Sequence, residues 1–409
     1  MAILSISGWL VACQAVVSSF TCSDPLGCVN IAPGEPIKIG MLQPLSGDVA
    51  PIGVDQVRSI ELALADRNSQ IFGHPVEFQK EDDLCSAEGG KVAAQKIVAD
   101  PQIVAILGTY CSGAAVPAAK IMSQAGLVMV SGGNTAPSLT SVGGKQGSNW
   151  QPGYFRTAYN DEIQGQTAAT FAFQKLGVTQ VATINDGDPY TQGLTGVFNH
   201  VFAELGGENV LDATINKGET DMRPVLTAVA ASQAQLVFFP IFEPEGDLIV
   251  LQATEVAELD GIILMSADGL LTNTFIQAVG DHGLGMYFAG PATPHGPAYD
   301  AFIAKYKATY GEPPLAAFHA HAYDAANLVF NAIEAVAMPD KDGTLHIGRQ
   351  ALRDALYAIT DYQGLTGRLT CNQFGDCGAA RFNVMRLDQP AAGLEGLMAN
   401  IVYTHAQAQ

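Results

Sequence analysis

Strand-like and helix-like hydrophobic patterns follow one another in regular succession along the chain. In the segment 37–42 the odd-numbered positions are apolar, which predicts a strand, and the segment 54–68 repeats apolar residues at close to helical spacing. Further patterns of both kinds alternate up to the apolar segment 127–130. Strands that alternate with helices of about 10–15 residues predict a parallel sheet covered by helices on both faces.

A second series with the same alternation begins after the segment 154–157. Its strand-like segments lie at 180–184, 210–215, 236–239 and 262–265, with helical patterns between them. Together the two series contain too many strands for one compact sheet. We therefore predict an α/β fold of two lobes of similar size, each built on a doubly wound parallel sheet.

Composition supports a folded protein and restricts its partners. The chain has 409 residues, of which 48% are hydrophobic and only 15% are charged, so a large core must form. Its formal net charge of −20 disfavours nucleic acid and anionic membranes as partners, because both are bound by clustered Lys and Arg. Solubility alone is a sufficient reason for this acidity.

The first residues form an apolar run, 3–12, which is typical of an export signal. The run ends in Leu10-Val11-Ala12-Cys13, which resembles the sequence at which bacterial lipoproteins are acylated. We therefore expect residues 1–36 to hold a signal or lipoprotein segment and a linker, with Cys13 as the lipidation site. An ordinary cleaved signal and a start without export are the alternatives, since no Lys or Arg precedes the run.

Cysteine usage agrees with export to an oxidising compartment. The chain has 7 cysteines, and six remain for disulfides if Cys13 is acylated. Two pairs lie close together in sequence, and the third consists of the remaining cysteines. The pairs are Cys22 with Cys28, Cys371 with Cys377, and Cys85 with Cys111. Other pairings of six cysteines are open at this point. None of the spacings has the second half that a zinc site needs.

The sequence contains none of the common catalytic motifs that we sought. There is no G-x-S-x-G, no H-E-x-x-H, no P-loop, and no G-x-G-x-x-G after the first strand. His319 and His321 lie two apart on a predicted helix, so their rings point away from each other, although Asp324 leaves a metal site there as an alternative. We predict a protein that is not an enzyme and that uses no metal and no cofactor.

The candidate chemistry lies in loops that follow predicted strands. The segments 108–113 and 131–137 are rich in glycine, carry hydroxyl groups and lead into helices, so they could bind a carboxylate without arginine. Two purely structural helix caps are the alternative. In the second series Asp268 follows a strand, and Tyr190 and Phe242 would supply ring surface. An acid opposite neutral anion-binding loops suits a zwitterionic amino acid.

With these loops, the sequence resembles the periplasmic branched-chain amino acid binding proteins, which are solute receptors of ABC importers. The resemblance runs from about residue 37 to about residue 376 and rests on the order and spacing of short motifs. The motifs are Ile39-Gly40 with Pro44-Leu45-Ser46-Gly47, Glu81-Asp82-Asp83-Leu84-Cys85, Gly108 to Ser112, Ser131 to Pro137, Tyr154-Phe155-Arg156, Asp188-Pro189-Tyr190 with Gly193, and Gly364-Leu365-Thr366-Gly367.

The resemblance implies two lobes that close over a ligand and are joined by three crossovers. The crossovers would lie near Thr157, Gly290–Pro291 and Thr366. The first lobe would then comprise residues 37–156 and 291–365, and the second lobe residues 157–290 and 366–409. This is the type I periplasmic binding fold.

The resemblance also implies roles for residues in the strand-end loops. Ser112 corresponds to the serine that binds the ligand's carboxylate, Thr135 to the threonine of the second loop, and Gly133 to the carbonyl that accepts from the ammonium. Tyr190 corresponds to a stacking tyrosine, and Asp268 to an acid that is commonly Glu. We expect Asp268 to pair with the ammonium. The resemblance further implies a disulfide between Cys85 and Cys111.

Several positions depart from the pattern of this family. Ile52 stands where an aromatic residue often covers the ligand, and Phe242 stands where Tyr is often found. Tyr110 and Asn134 occupy pocket-facing positions that are frequently aliphatic or Ala. Recognition of the α-amino acid group is therefore expected, whereas the preferred side chain is left open between aliphatic and other neutral types.

The resulting prediction is an exported solute-binding protein of an ABC importer. It would bind an amino acid between its lobes and deliver it to permease subunits in the membrane, as a periplasmic protein or a membrane-anchored lipoprotein. We expect a monomer without nucleic acid partners. The alternative is a ligand-sensing module of the same fold that acts with a signalling partner.

Overall fold

The structure is a computed structural model that describes residues 20–378 and 380–405. The expected export signal and Cys13 lie outside the described residues. The strands, numbered in chain order, are β1 (Cys28–Ile31), β2 (Ile37–Gln43), β3 (Gln70–Ile71), β4 (His74–Asp82), β5 (Ile103–Gly108), β6 (Met129–Ser131), β7 (Ser141–Val142), β8 (Lys145–Gln146), β9 (Tyr154–Arg156), β10 (Gln180–Asn185), β11 (Glu208–Thr214), β12 (Leu236–Phe238), β13 (Ile263–Ala267), β14 (Tyr287–Pro291), β15 (Met338–Pro339), β16 (Leu345–Gly348), β17 (Tyr362–Gly364), β18 (Gly367–Leu369), β19 (Phe382–Arg386) and β20 (Ile401–Thr404). The α-helices are α1 (Ala50–Ala65), α2 (Ala87–Val98), α3 (Ser112–Gln124), α4 (Asp161–Thr170), α5 (Pro189–Glu204), α6 (Arg223–Ser232), α7 (Glu245–Ala253), α8 (Asn273–Val279), α9 (Pro297–Tyr310), α10 (His319–Val336), α11 (Arg349–Tyr357) and α12 (Gly393–Ala399).

The first lobe is the six-stranded sheet β3-β4-β2-β5-β6-β9 with the helices packed on it. All pairings in this sheet are parallel except β3 with β4. Strand β5 is buried along its whole length because both faces of the sheet are covered. Val104 packs in a cluster with α1 and α10, whereas Ile103 and Ile106 pack on the other face with α2 and α3. The predicted doubly wound sheet is confirmed here.

The second lobe is the seven-stranded sheet β11-β10-β12-β13-β14-β19-β20 with its helices. Its first five strands are parallel and have the order of a doubly wound sheet, while β19 and β20 add antiparallel strands at one edge. Helices α4 and α5 pack together against the sheet, and α6, α7, α8 and α12 form another layer. This sheet confirms the second half of the predicted architecture.

The chain passes between the two sheets after β9 and after β14, and it returns to the second sheet with β19. The resemblance predicts the third passage near Thr366. The structure instead packs Leu369, Cys371 and Cys377 in the core of the first lobe, and the N–H of Cys377 donates to the carbonyl of Arg156 at 3.0 Å. The return therefore comes after Cys377, because the disulfide loop stays bonded to β9. The other lobe boundaries stay predictions.

Three disulfides join the cysteines of the described chain. They connect Cys22 with Cys28, Cys85 with Cys111, and Cys371 with Cys377. The bond between Cys85 and Cys111 ties the loop after β4 to the loop after β5, next to the strand ends where a ligand is expected. Within the described residues, no helix is both long enough and apolar enough to cross a membrane.

Candidate functional site

The candidate site lies where the carboxyl ends of the two parallel sheets meet. In doubly wound sheets the ligand crevice lies at the point where strand order reverses, here between β2 and β5 in one lobe and between β10 and β12 in the other. Tyr110 and Cys111 of the first lobe share one buried cluster with Tyr190 and Phe242 of the second. The lobes are therefore in contact across the cleft, and the cleft is closed.

The two hydroxyl loops of the first lobe are bonded directly to each other. The Ser131 hydroxyl donates to the carbonyl of Thr109 at 2.7 Å, and the N–H of Ala136 donates to the hydroxyl of Ser112 at 3.2 Å. Ser112 and Thr135 are each only 1% exposed. The structure thus brings these two predicted ligand residues together in one rigid corner at the start of α3.

Arg156 fixes the second of these loops from behind. Its side chain is fully buried, and Nη1 donates to the carbonyl of Ala136 at 2.9 Å while the other guanidinium nitrogens donate to Thr140 and, at 2.6 Å, to Asp376. The guanidinium is therefore used within the protein.

Asn134 and Gly133 lie in the second of these loops and have different surroundings. Asn134 turns into the lobe, where its amide donates to the carbonyl of Tyr110 at 2.7 Å and accepts from the Tyr154 hydroxyl at 2.9 Å. Its side chain therefore braces the loop instead of facing the cleft as expected. Gly133 lies so close to Tyr110 that a Cβ at this position would come within 2.7 Å of the ring.

Asp268 and Tyr190 meet on the second lobe. The hydroxyl of Tyr190 donates to Asp268 at 3.3 Å and accepts from the N–H of Gly269 at the same distance. The amide of Gln164, on α4, also donates to Asp268 and to the carbonyl of Ala289. Burial raises the pKa of Asp268 to about 6, and the hydrogen bonds from Gln164 and Tyr190 offset part of that rise.

Asp161 is a second acid in the cleft, and the sequence analysis did not select it. It is fully buried, neither of its carboxylate oxygens has a hydrogen-bond partner, and its N–H donates to the carbonyl of Thr135 at 3.0 Å. Burial raises its pKa well above the ordinary value, and the charge of Asp268 raises it further. The Thr135 hydroxyl lowers this pKa in part, although its geometry falls short of a hydrogen bond.

Asp161 and Gln164 could have been selected from their spacing, although the start of their helix makes them look ordinary. Asn160 caps α4 by accepting from the N–H of Glu162 at 3.0 Å, so the acids beside it look like ordinary first-turn residues. Asp161 and Gln164 are separated by three positions and share one helix face, directly after the chain leaves β9. That combination places both at the mouth of the second lobe.

Aromatic rings form the walls of the cleft. The Phe242 ring lies 5.1 Å from that of Tyr190 and 6.5 Å from that of Tyr110, measured between centroids. Phe318, which the sequence analysis did not select, lies 6.0 Å from Tyr110 at an angle of 81°. Ile52 is buried in the same cluster. The side-chain region of the site is therefore mainly aromatic.

Two other acids of the second lobe, Asp188 and Glu243, also follow strands and have partners within the protein. Asp188 caps α5, accepts from Lys217 at 2.9 Å, and lies against the start of α3, where a Cβ on Gly113 would come within 2.2 Å of it. Glu243 accepts from the hydroxyls of Thr272 and Thr274. Both are buried, although each lies beside a proline in a loop after a strand.

The histidines of α10 have no metal-binding arrangement. His319 is bonded to the carbonyl of Ala316 and to the hydroxyl of Tyr299, each at 2.8 Å, while Asp324 accepts from the backbone of the loop at Thr366. Burial lowers the pKa of His321 to about 3, so its ring is neutral. Within residues 20–378 and 380–405, no group of three or more His, Cys, Asp or Glu could hold a metal ion.

Two doubly wound lobes with a closed polar cleft between their strand ends define a type I periplasmic binding protein. The chain belongs to the periplasmic binding protein family, whose sequence profile matches residues 36–389. That family consists of solute-binding proteins, and membership implies export. The predicted resemblance to branched-chain amino acid binding proteins is confirmed at the level of the family and the fold.

Individual relatives illustrate the range of ligands on this fold. The chain is 28% identical over 353 residues to the Leu/Ile/Val-binding protein BraC3 of Rhizobium johnstonii, covering 86% of this chain and 91% of that protein. Its structure matches LivJ of Streptococcus pneumoniae in complex with isoleucine, with a TM-score of 0.75 and 22% identity over 91% of this chain and 99% of the other. It also matches a solute-binding protein of R. palustris in complex with benzoate, with a TM-score of 0.73 and 21% identity over 86% and 93%.

Proposed function

We propose that this protein is a non-catalytic receptor that binds an L-α-amino acid between its lobes and delivers it to an ABC importer. One observation carries the proposal. A corner of neutral hydrogen-bonding groups, at Ser112 and Thr135, lies against the buried Asp161, whose carboxylate interacts in turn with the buried Asp268. Opposite ends of a zwitterion fit these two surfaces.

The ligand's carboxylate is assigned to the first lobe. The first N–H groups of α3 have no partner inside the helix and lie at the positive end of its dipole, and the Ser112 hydroxyl stands beside them. This set stabilises an anion without placing a buried cation next to it. The loop geometry is held by Arg156, so it need not rearrange when the ligand enters.

The ligand's ammonium is assigned to Asp268 together with Asp161 and the carbonyl of Gly133. A closed cleft excludes water, and each buried charge there needs an opposite charge as a partner. Asp161 has both oxygens unpartnered, so it offers the acceptors that an ammonium group with three N–H bonds requires. Tyr190 and Gln164 hold Asp268 in place.

An aromatic carboxylate of the benzoate type is the competing ligand class, and the rings of Tyr110, Tyr190 and Phe242 favour it. It has no amine, however, so closing the lobes over it would bury Asp161 and Asp268 without a cation. Both acids would then have to stay protonated, which their raised pKa values allow, whereas an ammonium group pairs directly with the ionised carboxylates. The amino acid therefore fits the whole site, whereas benzoate fits only its walls and its first-lobe corner.

A thermal-shift screen tests this proposal. The protein is heated with each of the twenty amino acids, with the deaminated acids of matching side chain, and with benzoate. A ligand at 100 times its Kd raises the free energy of unfolding by about 2.7 kcal/mol. We expect at least one amino acid to do so and its deaminated counterpart to fail. Stabilisation by benzoate or by deaminated acids, without any amino acid, would contradict the proposal.

We also propose that Cys13 anchors the exported protein through lipid and that the protein works as a monomer with permease subunits. Support for the anchor comes from Leu10-Val11-Ala12-Cys13 alone, which lies outside the described residues. Cys13→Ser should move the protein from the membrane fraction to the soluble exported fraction. Unchanged fractionation would count against acylation and leave the ligand assignment intact.

A further inference from the structure

The hydroxyl group of Tyr110 is buried in the cleft without a hydrogen-bond partner. The residue is only 2% exposed, and its hydroxyl oxygen is among the buried polar atoms that no group of the described chain satisfies. Buried polar groups in proteins are nearly always hydrogen-bonded, and an unpaired one lowers stability. A group of this kind inside a ligand cleft calls for a partner that the protein does not itself supply.

The Tyr110 ring is held on several sides and cannot turn its hydroxyl toward solvent. Gly133 contacts one edge so closely that a Cβ would come within 2.7 Å of Cδ2. Phe242 and Phe318 pack against it in edge-to-face geometry, with interplanar angles of 66° and 81°. The position of the hydroxyl is therefore fixed by packing from both lobes.

The acids near Tyr110 do not serve as its partner. Burial raises the pKa of its hydroxyl well above the ordinary value, and the charges of Asp268 and Asp55 raise it further. Asp268 accepts from Gln164 and Tyr190, and Asp55 accepts from Tyr306 and from the backbone, while no hydrogen bond reaches Tyr110. The hydroxyl thus stands in a negative environment, which disfavours an acidic group as its partner.

We propose that Tyr110 determines side-chain specificity, and that the ligand is an amino acid with an uncharged hydrogen-bonding side chain, a hydroxyl or a carboxamide. This inference rests on the proposed function. An aliphatic side chain in this position leaves the Tyr110 hydroxyl unpaired in the closed state, whereas a hydroxyl or carboxamide satisfies it. A binding site built around a hydrogen-bonding group rejects ligands that lack the matching group.

Pairs of amino acids of nearly equal shape test this inference on the full chain. Dissociation constants are measured by calorimetry for threonine and valine, for asparagine and leucine, and for glutamine and methionine. We expect the parent to prefer the polar member of at least one pair by tenfold or more. Tyr110→Phe should abolish most of that preference, both by weakening the polar member and by tightening the apolar member, whose binding then leaves no hydroxyl unpaired.

Tyr323→Phe is the matched control, because the Tyr323 hydroxyl donates to Asp66 on the outer surface of the first lobe, at 2.8 Å. It should leave the preference unchanged. Tighter or equal binding of the apolar member in all three pairs would overturn the inference while the proposed function stands. A preference that survives Tyr110→Phe would overturn it too. If no amino acid binds, the proposed function fails and the inference falls with it.

Discussion

The hydroxyl loops of the first lobe and the acids of the second lobe differ in how far the protein itself satisfies them. On the first lobe, Ser131, Ser112 and Arg156 bond the two hydroxyl loops to each other and to the sheet, so the groups that hold the loops are paired without a ligand. On the second lobe, Asp161 is buried with both oxygens unpartnered beside Asp268. The loops of the first lobe are thus preorganised, whereas the buried acids of the second lobe have no positive charge beside them.

This difference predicts that the first lobe receives the ligand and that the second lobe drives closure. A preorganised surface pays little to receive an anion, so we expect the ligand's carboxylate to dock on the first lobe. The acids of the second lobe gain their counter-charge only when the lobes close over the ammonium. Because a ligand shifts an equilibrium by its differential contacts, these acids should set how strongly the ligand favours the closed state.

The largest expected effect comes from removing charge on the second lobe. Asp268→Asn keeps an acceptor for Gln164 and Tyr190 but no longer neutralises an ammonium, so amino acid binding should weaken by about 3–5 kcal/mol, a hundredfold or more in Kd. Asp161→Asn should have a similar effect. Calorimetry measures both, with deaminated acids as comparison ligands, because these should lose much less affinity.

Asp300→Asn is the control for this charge removal, since Asp300 is exposed on α9. It should bind as the parent does. If Asp268→Asn and Asp161→Asn both bind the amino acid as tightly as the parent, or if the parent prefers a ligand without an amine, the assignment of the acids to the ammonium fails.

A second variant, Arg156→Met, changes the first-lobe side of the cleft. Arg156→Met removes the guanidinium that holds the loop carbonyls and leaves Asp376 unpaired, so the free energy of unfolding should fall by about 3–5 kcal/mol. Denaturant unfolding of the free protein measures this. Arg368→Met is the control, because its ion pair with Asp361 is exposed and should cost less than about 1 kcal/mol. Equal losses for the two variants would show that the loop does not depend on Arg156.

The next largest expected effect is a pH dependence of binding. It should come from the acids of the second lobe, since the loops of the first lobe are neutral. Because burial raises the pKa of Asp268 to about 6, the closed protein binds more protons than the unfolded chain between about pH 4 and pH 6, and its stability falls as pH rises through that window. The ammonium needs the ionised carboxylate, so affinity should rise over the same range. One proton with this pKa predicts binding about tenfold weaker at about pH 5 than at about pH 7.5.

Calorimetry in buffers of different ionisation heat checks this, since binding near pH 6 should release protons. The Kd is the right readout because Asp83 and Asp247, whose pKa values burial raises to about 7, alter stability without belonging to the assigned ligand contacts. Asp268→Asn should change the pH profile without abolishing it, because Asp161, whose pKa burial also raises, still titrates in the cleft. A Kd that is constant between about pH 5 and pH 7.5 would contradict the linkage.

The architecture was predictable because it depends on patterns that span many residues. Alternating strands and helices, such as β5 followed by α3, determine a doubly wound sheet and therefore which loops meet at its crevice. The antiparallel strands β19 and β20 were missed because each is short and no long helix separates them. The third passage was placed early because the sequence does not show that Cys377 stays bonded to β9.

Within the site, the sequence indicates positions better than side-chain directions. The segments 108–113 and 131–137 could be selected because they are rich in glycine and lead into helices, while the resemblance to a known family implied Ser112 and Thr135 within them. Asn134 lies in the same loop, yet only packing against Tyr154 turns its amide away from the cleft. Asp161 looked like a normal first-turn acid, and its importance depends on the first lobe lying against it, with the carbonyl of Thr135 at 3.0 Å.

The smallest expected effect concerns a contact between the lobes that lies outside the ligand site. Lys217 of the second lobe donates to Asp188 at 2.9 Å and to the carbonyl of Cys85 in the first lobe at 3.3 Å. Lys217→Met keeps the apolar stem but removes the contact across the cleft. The Lys217 side chain is 39% exposed, but its partner Asp188 is only 2% exposed and would be buried without a cation, so the closed state should lose about 1 kcal/mol and the ligand about fivefold in Kd.

Small-angle scattering with and without saturating amino acid measures this closure directly. The parent should become more compact with ligand, and Lys217→Met should need more ligand to reach the same radius of gyration. Lys341→Met, an exposed change in the loop before β16, should match the parent. If Lys217→Met also matches the parent, closure depends on the ligand's own contacts with the two lobes and not on this contact. If the parent shows no compaction at saturation, the closing of the lobes over the ligand is itself refuted.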